Sequence, residues 1–484
     1  MIVEGRDKKY EVVVGIEVHA QLSTSHKLFS SAKTDFGSEP NSQVALVDIA
    51  FPGMLPVLNF EAVRKSIAAG LGMCATINKN SRFDRKHYFY PDLPQGYQIT
   101  QLYSPIILDG HIDIDLEDGA TKTIRVERAH IEQDAGKLVH DLYPNHSCVD
   151  LNRAGIPLLE IVSAPDIRSP YEACEYVKNL RAILRAVDAS DGDMEKGSFR
   201  CDVNISVRPS GESKFGTRCE IKNVNSIRSV ARAIEYEARR HVEVIENGGK
   251  INQETRLFNA DTGETRKMRS KEDADDYRYF PDPDLRALVL SDALIDEVRS
   301  SLPELPRHKR DRYIKNLGLS IYDASVLTSD DKISQFFEII YAECKDAKLA
   351  CTWITSELFG RFNKLGLELE TSKITAQNFA LLLLLIKKDV ISGKIAKDVL
   401  DTMIETGENP EIIVSSQGLT QVTDESEIIK IIDKVLLQNQ DKVAEYRSGK
   451  DKMFGFFVGQ TMKEMSGKGN PAVINKILIE KLKS

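Results

Sequence analysis

Two short segments of the chain each place a carboxylate and a histidine two residues apart. Glu17 and His19 lie in the run VVVGIEVH, and His130 and Glu132 lie in AHIEQD. On a β-strand this spacing directs both side chains of a pair to the same face. Carboxylates and imidazoles on one face are able to ligate a metal ion or to orient a phosphate group.

A third pair of carboxylates lies in two alternating segments. In SFRCDVNISVR and RCEIKN, apolar residues alternate with polar ones that include Asp202 and Glu220. The intervening loop PSGESKFG is short enough for a hairpin, which would bring both carboxylates to one sheet surface if the register is favourable. Carboxylates so close together repel and need a cation, and oxygen ligands suit Mg²⁺. The alternative is an ordinary solvated sheet face, and the pattern alone leaves both interpretations open.

Several familiar nucleotide and hydrolase signatures are missing from the sequence. There is no G-x-x-x-x-G-K-[ST] motif, no kinase motif set and no G-x-S-x-G elbow. The segment GDMEKGS (192–198) has the two glycines at the spacing of the first motif but lacks the lysine that should follow the second glycine. If the protein binds a nucleotide, we expect an unusual site.

The elements that must position these residues change in type along the chain. To about residue 290, short β-branched runs separated by Pro, Gly, Asn and Asp predict strands, interrupted by helices that begin near Ser169-Pro170 and after Asn225. Beyond that point a period of 3.6 residues predicts helices. We therefore expect an α+β protein with a mixed or antiparallel sheet in a domain at 1–293, a helical domain at 294–405 and a small helical tail at 406–484.

Composition sets limits on the class of protein. A chain of 484 residues is too long for one hydrophobic core. Because its formal net charge is −8, any contact with nucleic acid must come from local basic patches. The seven cysteines are scattered without C-x-x-C spacing, so we expect reduced thiols and no structural zinc. The apolar stretch from Phe379 to Ile386 is too short for a membrane span, and the N-terminus lacks targeting features. We expect a cytoplasmic protein without a membrane partner.

Longer motifs carry a resemblance to a known family. The chain contains, in this order, the runs GIEVHAQL, FDRKHYFYPDLPQGYQITQ, HIEQDAGK, DLNRAGIPLLEIVSAPDIRSP, SFRCDVNISVR, EIKNVNS and DDYRYFPDPDL. In order and spacing they resemble the B-subunit (GatB/GatE) family of the aspartyl/glutamyl-tRNA amidotransferases. Near the C-terminus, KMFGFFVGQTMKEMSGKGNPAVIN resembles that family's YqeY-like tRNA-binding end.

The resemblance implies a fold, an activity and partners. It implies a cradle domain, a helical linker domain and a tail, in a heterotrimer with an amidase A subunit and a small C subunit. The cradle would use ATP and Mg²⁺ to phosphorylate the side-chain carboxylate of Glu-tRNA(Gln) or Asp-tRNA(Asn). Ammonia released from glutamine by the A subunit would then displace phosphate, which makes the complex an ATP-dependent carbon–nitrogen ligase.

The resemblance also implies a set of site residues. The family's catalytic metal site falls on Glu17, His19, Glu132, Asp202 and Glu220, with His130 as a neighbour. Candidates for contacts with phosphate or substrate are Lys137, Arg200, Asn204 and Lys222. Tyr88, Phe89 and Tyr90 are candidates for stacking on the terminal adenosine of tRNA. In the tail, the candidates for contacts with the tRNA backbone are Lys442, Lys450, Lys452, Lys463 and Lys468.

The sequence departs from the family pattern at two positions, and three other interpretations of its function stay open. Gln95 stands where many members have lysine, and Gln133 stands where a second glutamate is common. The main alternative is a non-catalytic scaffold that only binds tRNA, in which the carboxylates are structural. The others are the longer archaeal-type paralogue, for whose inserted domain the chain has no room, and a metal-dependent nuclease.

Overall fold

A computed structural model describes residues 1–270, 276–369, 371–420, 425–448, 450, 452–465 and 468–483. Asp275, the first residue of the DDYRYFPDPDL motif, lies outside these ranges. The chain divides into two compact units, Met1–Pro306 and Arg307–Ser484.

The first unit contains all of the described strands. They are β1 (Ile2–Glu4), β2 (Lys9–Gln21), β3 (Thr76–Ile77), β4 (Asn80–Ser81), β5 (Asp84–His87), β6 (Tyr97–Thr100), β7 (Ile107–Asp115), β8 (Thr121–Gln133), β9 (Lys137–Val139), β10 (Cys148–Asp150), β11 (Pro157–Ser163), β12 (Phe199–Pro209), β13 (Cys219–Val224), β14 (Glu254–Phe258), β15 (Thr265–Ser270), β16 (Phe280–Pro281) and β17 (Leu288–Val289). Its helices are α1 (Phe60–Gly72), α2 (Pro170–Ala186), α3 (Ile227–Glu246) and α4 (Asp292–Ser301).

Ten of the described strands form one mixed sheet. Its order is β15-β14-β13-β12-β2-β11-β8-β7-β3, with β1 added beside β2. The β13–β14 pair is parallel, whereas β12, β2, β11 and β8 pair with one another in antiparallel fashion. The predicted hairpin is present as the β12–β13 pair.

One face of this sheet forms the core of the first unit. Its central strands contribute fully buried apolar side chains such as Ile16, Val203 and Ile161, and α2 and α3 pack in the same cluster through Leu180 and Ile234. Burial of this face fixes which side chains remain on the other, because side chains alternate along each strand.

The helices of the first unit begin at capping residues. Ser169 accepts a hydrogen bond from the backbone N–H of Glu172 and is followed by a proline in the first turn of α2. Ser226 caps α3 in the same way, by accepting from the N–H of Ser229. Both predicted helices are confirmed.

The second unit is helical. It contains α5 (Pro306–Leu317), α6 (Ile321–Leu327), α7 (Asp331–Cys344), α8 (Ala347–Thr352), a π-helical segment (Trp353–Leu358), α9 (Phe359–Leu365), α10 (Ala376–Lys387), α11 (Gly393–Thr406), α12 (Pro410–Ser416), α13 (Glu425–Gln438), α14 (Gln440–Arg447), α15 (Met453–Glu464) and α16 (Pro471–Lys483). The predicted change from strands to helices, and with it the α+β class, is confirmed.

Two separate hydrophobic cores lie within this unit. The first gathers buried side chains between Tyr313 and Val414, including those of the apolar stretch in α10, and the second gathers those between Ile428 and Leu482. None of the described helices is long and apolar enough to span a membrane. The division of the chain at residues 293 and 405 stays a prediction.

Candidate active site

The register of the sheet aligns polar residues from neighbouring strands on the face opposite the core. Asp202 of β12 lies opposite Glu17 of β2. Glu160 of β11 lies opposite His19 on one side and opposite His130 on the other. Residues directly opposite each other in an antiparallel pair share a face, so these side chains converge.

The converging side chains line a cavity of about 900 Å³. The predicted ligands all line it: Glu17, His19, Glu132, Asp202 and Glu220. Cationic, acidic and aromatic side chains complete the wall, among them Lys86, Tyr88, Glu160, Arg200, Lys222 and Tyr277. The structure thus brings together predicted ligands that are up to about 200 positions apart in the sequence. Their role as ligands stays a prediction.

His19 lies at the centre of the acidic wall. Its Nε2 atom is 3.3 Å from Oε2 of Glu160, 3.6 Å from Oε1 of Glu17 and 3.8 Å from Oε1 of Glu132. Burial alone lowers the pKa of an imidazole, but the hydrogen bond to Glu160 and the charge of Glu132 outweigh burial and raise the pKa of His19 to about 9. The imidazolium therefore offsets part of the carboxylate charge at neutral pH.

The pKa values of two carboxyl groups beside His19 are shifted in opposite directions. Burial, together with the negative charge of Glu160, raises the pKa of Glu17 to about 7. Burial also opposes ionisation of Glu160, but the facing side chains of His130 and His19 outweigh it and hold the pKa of Glu160 well below its usual range. Of these two carboxyl groups, Glu17 is the one in which the crowding of negative charge is less relieved.

A second carboxylate pair lies on β12 and β13. The Nζ atom of Lys222 is 2.7 Å from Oδ2 of Asp202 and 3.1 Å from Oε1 of Glu220. These two charges outweigh burial and raise the pKa of Lys222. The hydroxyl of Thr255 on β14 donates to Oε2 of Glu220 at 2.8 Å, which fixes this carboxylate from its other side.

Arg200 is held at the cavity wall by a buried acid. Its Nη2 atom donates to both carboxylate oxygens of Asp134, at 3.1 and 3.0 Å, and Gln21 donates to Oδ2 at 2.9 Å. Burial raises the pKa of Asp134, but the charges of Arg200 and Arg153 outweigh it and keep the pKa below its usual range. The pair positions a guanidinium group beside the carboxylates.

Other predicted site residues lie outside this cavity. Lys137 lines a separate cavity of about 450 Å³, and Tyr90 lies with Phe89 in a shallow surface pocket. Asn204 is half-buried opposite Glu220 and is not among the residues that line the main cavity. Tyr88, in contrast, lines the main cavity, and its role as a substrate contact stays a prediction.

His130 is a buried neighbour of the cavity. Its Nε2 atom lies 3.6 Å from Glu160 and 3.8 Å from Glu132. Gln133 and Gln95, the two departures from the family pattern, line an adjoining cavity of about 400 Å³.

The tail lysines differ in their surroundings. Lys442 and Lys450 form ion pairs with Glu445, at 3.3 and 3.4 Å. Lys452 and Lys463 are exposed, whereas Lys468 is half-buried.

Among the residues of the main cavity that the sequence patterns missed are Lys86, Asp134, Glu160 and Thr255. Glu160 carries a detectable signal, because it is the single charged residue in the otherwise apolar segment PLLEIVSA. A lone acid in a buried strand is costly unless it has partners, which is reason enough to search for them. The other three have no comparable local signal.

The donor atoms of the cavity form two groups that are compact enough for a metal ion. Glu17, His19 and Asp202 form one, and His19, Glu132 and Glu160 form the other, each with its donor atoms within 4.8 Å of one another. A third compact group, Cys219, Glu237 and His241, is buried in the core instead. There Glu237 already pairs with the guanidinium groups of Arg240 and Arg256, so its charge is neutralised without a metal ion.

Comparison with known proteins agrees with these features. A family model described as the GatB/GatE catalytic domain matches residues 12–296, and one described as a GatB domain matches residues 335–482. A relative from Rickettsia conorii, named as the B subunit of aspartyl/glutamyl-tRNA(Asn/Gln) amidotransferase, is 57% identical over 482 residues, covering 100% of this chain and 99% of the relative. A relative of the same name from Zymomonas mobilis is 58% identical over 482 residues, covering 99% of this chain and 98% of the relative.

Fold and cavity together define an α+β protein in which one face of a mixed sheet carries a dense group of carboxylates. The family models and the full-length similarity identify this class of protein more closely. The chain belongs to the GatB/GatE family.

Proposed function

We propose that this protein is the B subunit of a tRNA-dependent amidotransferase, and that the carboxylate-lined cavity activates the side-chain carboxylate of Glu-tRNA(Gln), Asp-tRNA(Asn) or both. The observation that supports this most directly is the arrangement of six carboxylates, His19, Lys222 and Arg200 around one cavity, in a chain 57% identical to a relative named as that subunit. The same arrangement favours catalysis over a scaffold role, because crowded buried carboxylates are costly for stability alone.

The residues of the cavity fit a divalent cation. Glu17 has a pKa raised to about 7 by burial and by the charge of Glu160, so an added positive charge would relieve a repulsion that the protein itself leaves in place. The residues that would hold Mg²⁺ are Glu17, Glu132, Glu160, Asp202 and Glu220, and His19 would join them as a ligand only after losing its proton. Bound Mg²⁺ would neutralise negative charge on the transferred phosphoryl group.

The chain's own cations complete the phosphate environment. Lys222 bridges Asp202 and Glu220, and Arg200 is anchored by Asp134, so both hold positive charge at fixed positions on the cavity wall. We assign them to the oxygens of the γ-phosphate, where preorganised donors lower the barrier to transfer.

The chemistry has two steps. The substrate carboxylate oxygen bonds to the γ-phosphorus of ATP, the bond between that phosphorus and the bridging oxygen breaks, and ADP leaves. The nitrogen of ammonia then bonds to the acyl carbon, inorganic phosphate leaves with the former carboxylate oxygen, and the nitrogen loses a proton. Phosphorylation is needed because a free carboxylate is a poor acylating agent.

The remaining assignments follow the family. We assign glutamine hydrolysis to an amidase A subunit and include a small C subunit in a heterotrimer, with the complex acting in the cytoplasm. We further assign residues 1–293 to the catalytic cradle, 294–405 to a linker domain and 406–484 to a tRNA-binding tail.

Asp202→Asn tests the proposal, because it removes a charge while keeping the shape of the side chain. With the partner subunits, ATP and Mg²⁺, phosphate release that depends on mischarged tRNA should fall by at least about a hundredfold. Glu127→Gln is the matched control, since Glu127 is an exposed acid on β8 outside the cavity, and it should retain activity. Unchanged phosphate release in Asp202→Asn, with tRNA binding intact, would refute the catalytic role and leave the scaffold alternative.

A further inference from the structure

The stretch that connects β2 to α1 has an unusual composition for a protein surface. Between Glu39 and Glu61 the chain contains a single charged residue, Asp48. Large apolar side chains of this stretch are exposed, and we call them the apolar platform: Leu46, Ile49, Phe51, Met54, Leu55, Val57 and Phe60. Dense apolar groups without charge are rare on the surfaces of monomeric proteins and mark sites of association.

The platform borders a cavity next to the reaction site. Phe51 and Met54 line the cavity of about 400 Å³ that also has Gln133 in its wall. Asp134 lines both this cavity and the carboxylate-lined one. A molecule that covers the platform therefore lies beside the site at which the substrate carboxylate would be activated.

The stretch keeps a defined shape although residues 44–59, all of which the structure describes, contain no helix or strand. The backbone N–H of Phe51 donates to the carbonyl oxygen of Leu46 at 2.9 Å, and that of Met54 donates to Phe51 at 3.2 Å. The backbone N–H of Asn59 donates to the carbonyl oxygen of Leu28 at 2.8 Å, which fixes the end of the stretch. A surface formed in advance loses little conformational entropy when a partner binds.

A buried ion pair supports this shape from the interior. Oδ2 of Asp48 accepts from Nζ of Lys27 at 3.2 Å. The same oxygen accepts from Oγ of Ser30 at 3.1 Å and from the backbone N–H of Ala45 at 2.8 Å. Lys27 is fully buried, and its Nζ atom also donates to the carbonyl oxygen of Leu151 at 3.1 Å. The pair thus ties the stretch to two other segments and keeps its one charge away from the platform.

We propose that the apolar platform is the docking surface for the amidase A subunit, and that the Lys27–Asp48 pair holds the platform in the shape that docking needs. This inference rests on the proposed function. Ammonia released into water at neutral pH is protonated to ammonium, which cannot attack an acyl carbon. A partner that supplies ammonia therefore has to dock where water is excluded and the reaction cavity is near, and the platform meets both conditions.

The composition of the stretch argues against two other classes of partner. Residues 40–60 contain no lysine or arginine. RNA backbones and anionic membrane surfaces are bound through such cations. An uncharged surface with exposed phenylalanine and methionine instead matches the core of an interface between proteins.

The first test identifies the partner in the complete complex. A photoreactive p-benzoylphenylalanine in place of Leu55, which is 63% exposed, should form a covalent bond to the amidase A subunit on irradiation. Mass spectrometry would identify the attached chain. A bond to the small C subunit or to a second copy of this chain, or no bond at all, would overturn the inference.

The second test measures the affinity of the full chain for the other two subunits by analytical ultracentrifugation. Val57 is 74% exposed, so Val57→Glu leaves the core intact but buries a charge on docking, and Kd should rise at least about 100-fold. The matched control is Leu142→Glu, because Leu142 is 61% exposed in the same unit and lies outside the platform, and it should change Kd less than about twofold. An unchanged Kd in Val57→Glu, or equal weakening by the two variants, would overturn the inference.

The ion pair can be tested without altering the platform itself. Asp48→Asn keeps the shape of the side chain but leaves the charge of Lys27 unpaired in the interior, so Kd should rise about tenfold. Lys27→Met/Asp48→Asn removes both charges and should return Kd to within about threefold of the unsubstituted value. An unchanged Kd in Asp48→Asn, or a double variant that binds no better than this single variant, would overturn the role of the pair.

Amidation assays separate this inference from the proposed function. With glutamine as the nitrogen donor, Val57→Glu should lose activity, whereas with ammonium chloride at alkaline pH it should stay within about twofold of the unsubstituted protein. Loss of activity with both donors would overturn the inference, because the defect would then lie in the reaction cavity. Absence of ATP-dependent amidation by the unsubstituted complex with either donor would refute the proposed function instead, while a cross-link to the amidase A subunit would still support the platform as its docking surface.

Discussion

The hydroxyl of Thr255 donates a 2.8 Å hydrogen bond to Oε2 of Glu220 across the parallel β13–β14 pair. Because Lys222 contacts the other oxygen of Glu220, this carboxylate is held on two sides. Thr255 is therefore a positioning residue: it fixes the direction of a carboxylate that we assign to the metal site. Partners of this kind commonly contribute about 10- to 100-fold to affinity or activity.

Thr255→Val should accordingly lower kcat/KM for ATP about 10- to 100-fold, because valine keeps the shape of the side chain and removes the donor. Thr255→Ser should restore most of the loss, since serine keeps the hydroxyl. Steady-state kinetics of the three proteins, with urea unfolding as a check on stability, would measure this. Equal activity of the valine and serine variants would contradict a role for the hydrogen bond.

Glu237 should be a main source of stability in the first unit. It is fully buried on α3 and pairs with Arg240 at 2.7 Å and with Arg256 at 2.9 Å. Glu237→Gln removes the counter-charge of Arg240 and one of the two counter-charges of Arg256, which also pairs with Glu254, and should lower the free energy of unfolding by about 3–5 kcal/mol. The exposed Glu243, on the same helix, provides the control: Glu243→Gln should change stability by less than about 0.5 kcal/mol.

The contribution of Glu237 should also depend on pH. Burial opposes its ionisation, but the facing side chains of His241 and Arg240 outweigh burial and lower the pKa from 4.5 to about 2. A lowered pKa in the folded state stabilises the protein fully above pH 4.5, and this contribution is lost as the pH falls from 4.5 towards 2. Urea unfolding of the unsubstituted protein and Glu237→Gln should therefore show a difference that shrinks across this window. A difference that grows on acidification would contradict the assignment.

Glu17 should make Mg²⁺ binding dependent on pH near neutrality. Its pKa is raised to about 7, and a ligand carboxylate must lose its proton before it can bind a cation. Affinity for Mg²⁺ should rise up to about tenfold per pH unit below about pH 7 and level off above it. Isothermal titration calorimetry near pH 6 and pH 8 would measure both the affinity and the proton released, and Glu17→Gln should flatten the dependence. Equal affinity and no proton release at the two pH values would refute this prediction.

The exposed tail lysines should contribute to tRNA affinity through the phosphate backbone. Lys452 and Lys463 are exposed, whereas Lys442 and Lys450 already pair with Glu445. In Lys452→Gln/Lys463→Gln, the slope of log affinity against log salt concentration should become shallower by about one for each phosphate that is no longer neutralised. Lys348→Gln, which removes an exposed lysine from α8, should leave the slope unchanged. Identical slopes in the double variant and the unsubstituted protein would exclude these interactions.

Local patterns in the sequence were sufficient to identify several elements of the fold. The alternation in SFRCDVNISVR predicts a strand with one polar face, and Ser169 followed by Pro170 predicts the start of α2. Such features depend on side-chain spacing and capping within a few residues, so no distant contact is needed to read them. Strand spacing had already placed the residues of the predicted metal site on polar faces, and the family motifs added their role as ligands, which spacing alone left undecided.

Distant contacts decided how the site is assembled. Glu160 joins the cavity because β11 lies between β2 and β8, and Lys137 is directed to another cavity because β9 pairs with β10 outside the main sheet. Tyr88 and Tyr277, almost 190 residues apart in the sequence, meet because β5 pairs with β16.

The sequence by itself determined which side chains share a face of each strand, since that follows from the two-residue period of the β-strand. Only the tertiary structure decided which strands are neighbours and in what register. That choice depends on burying the apolar faces under α2 and α3, a requirement of the whole unit, and it is what places Asp202 beside Glu17 and Glu160 beside His19.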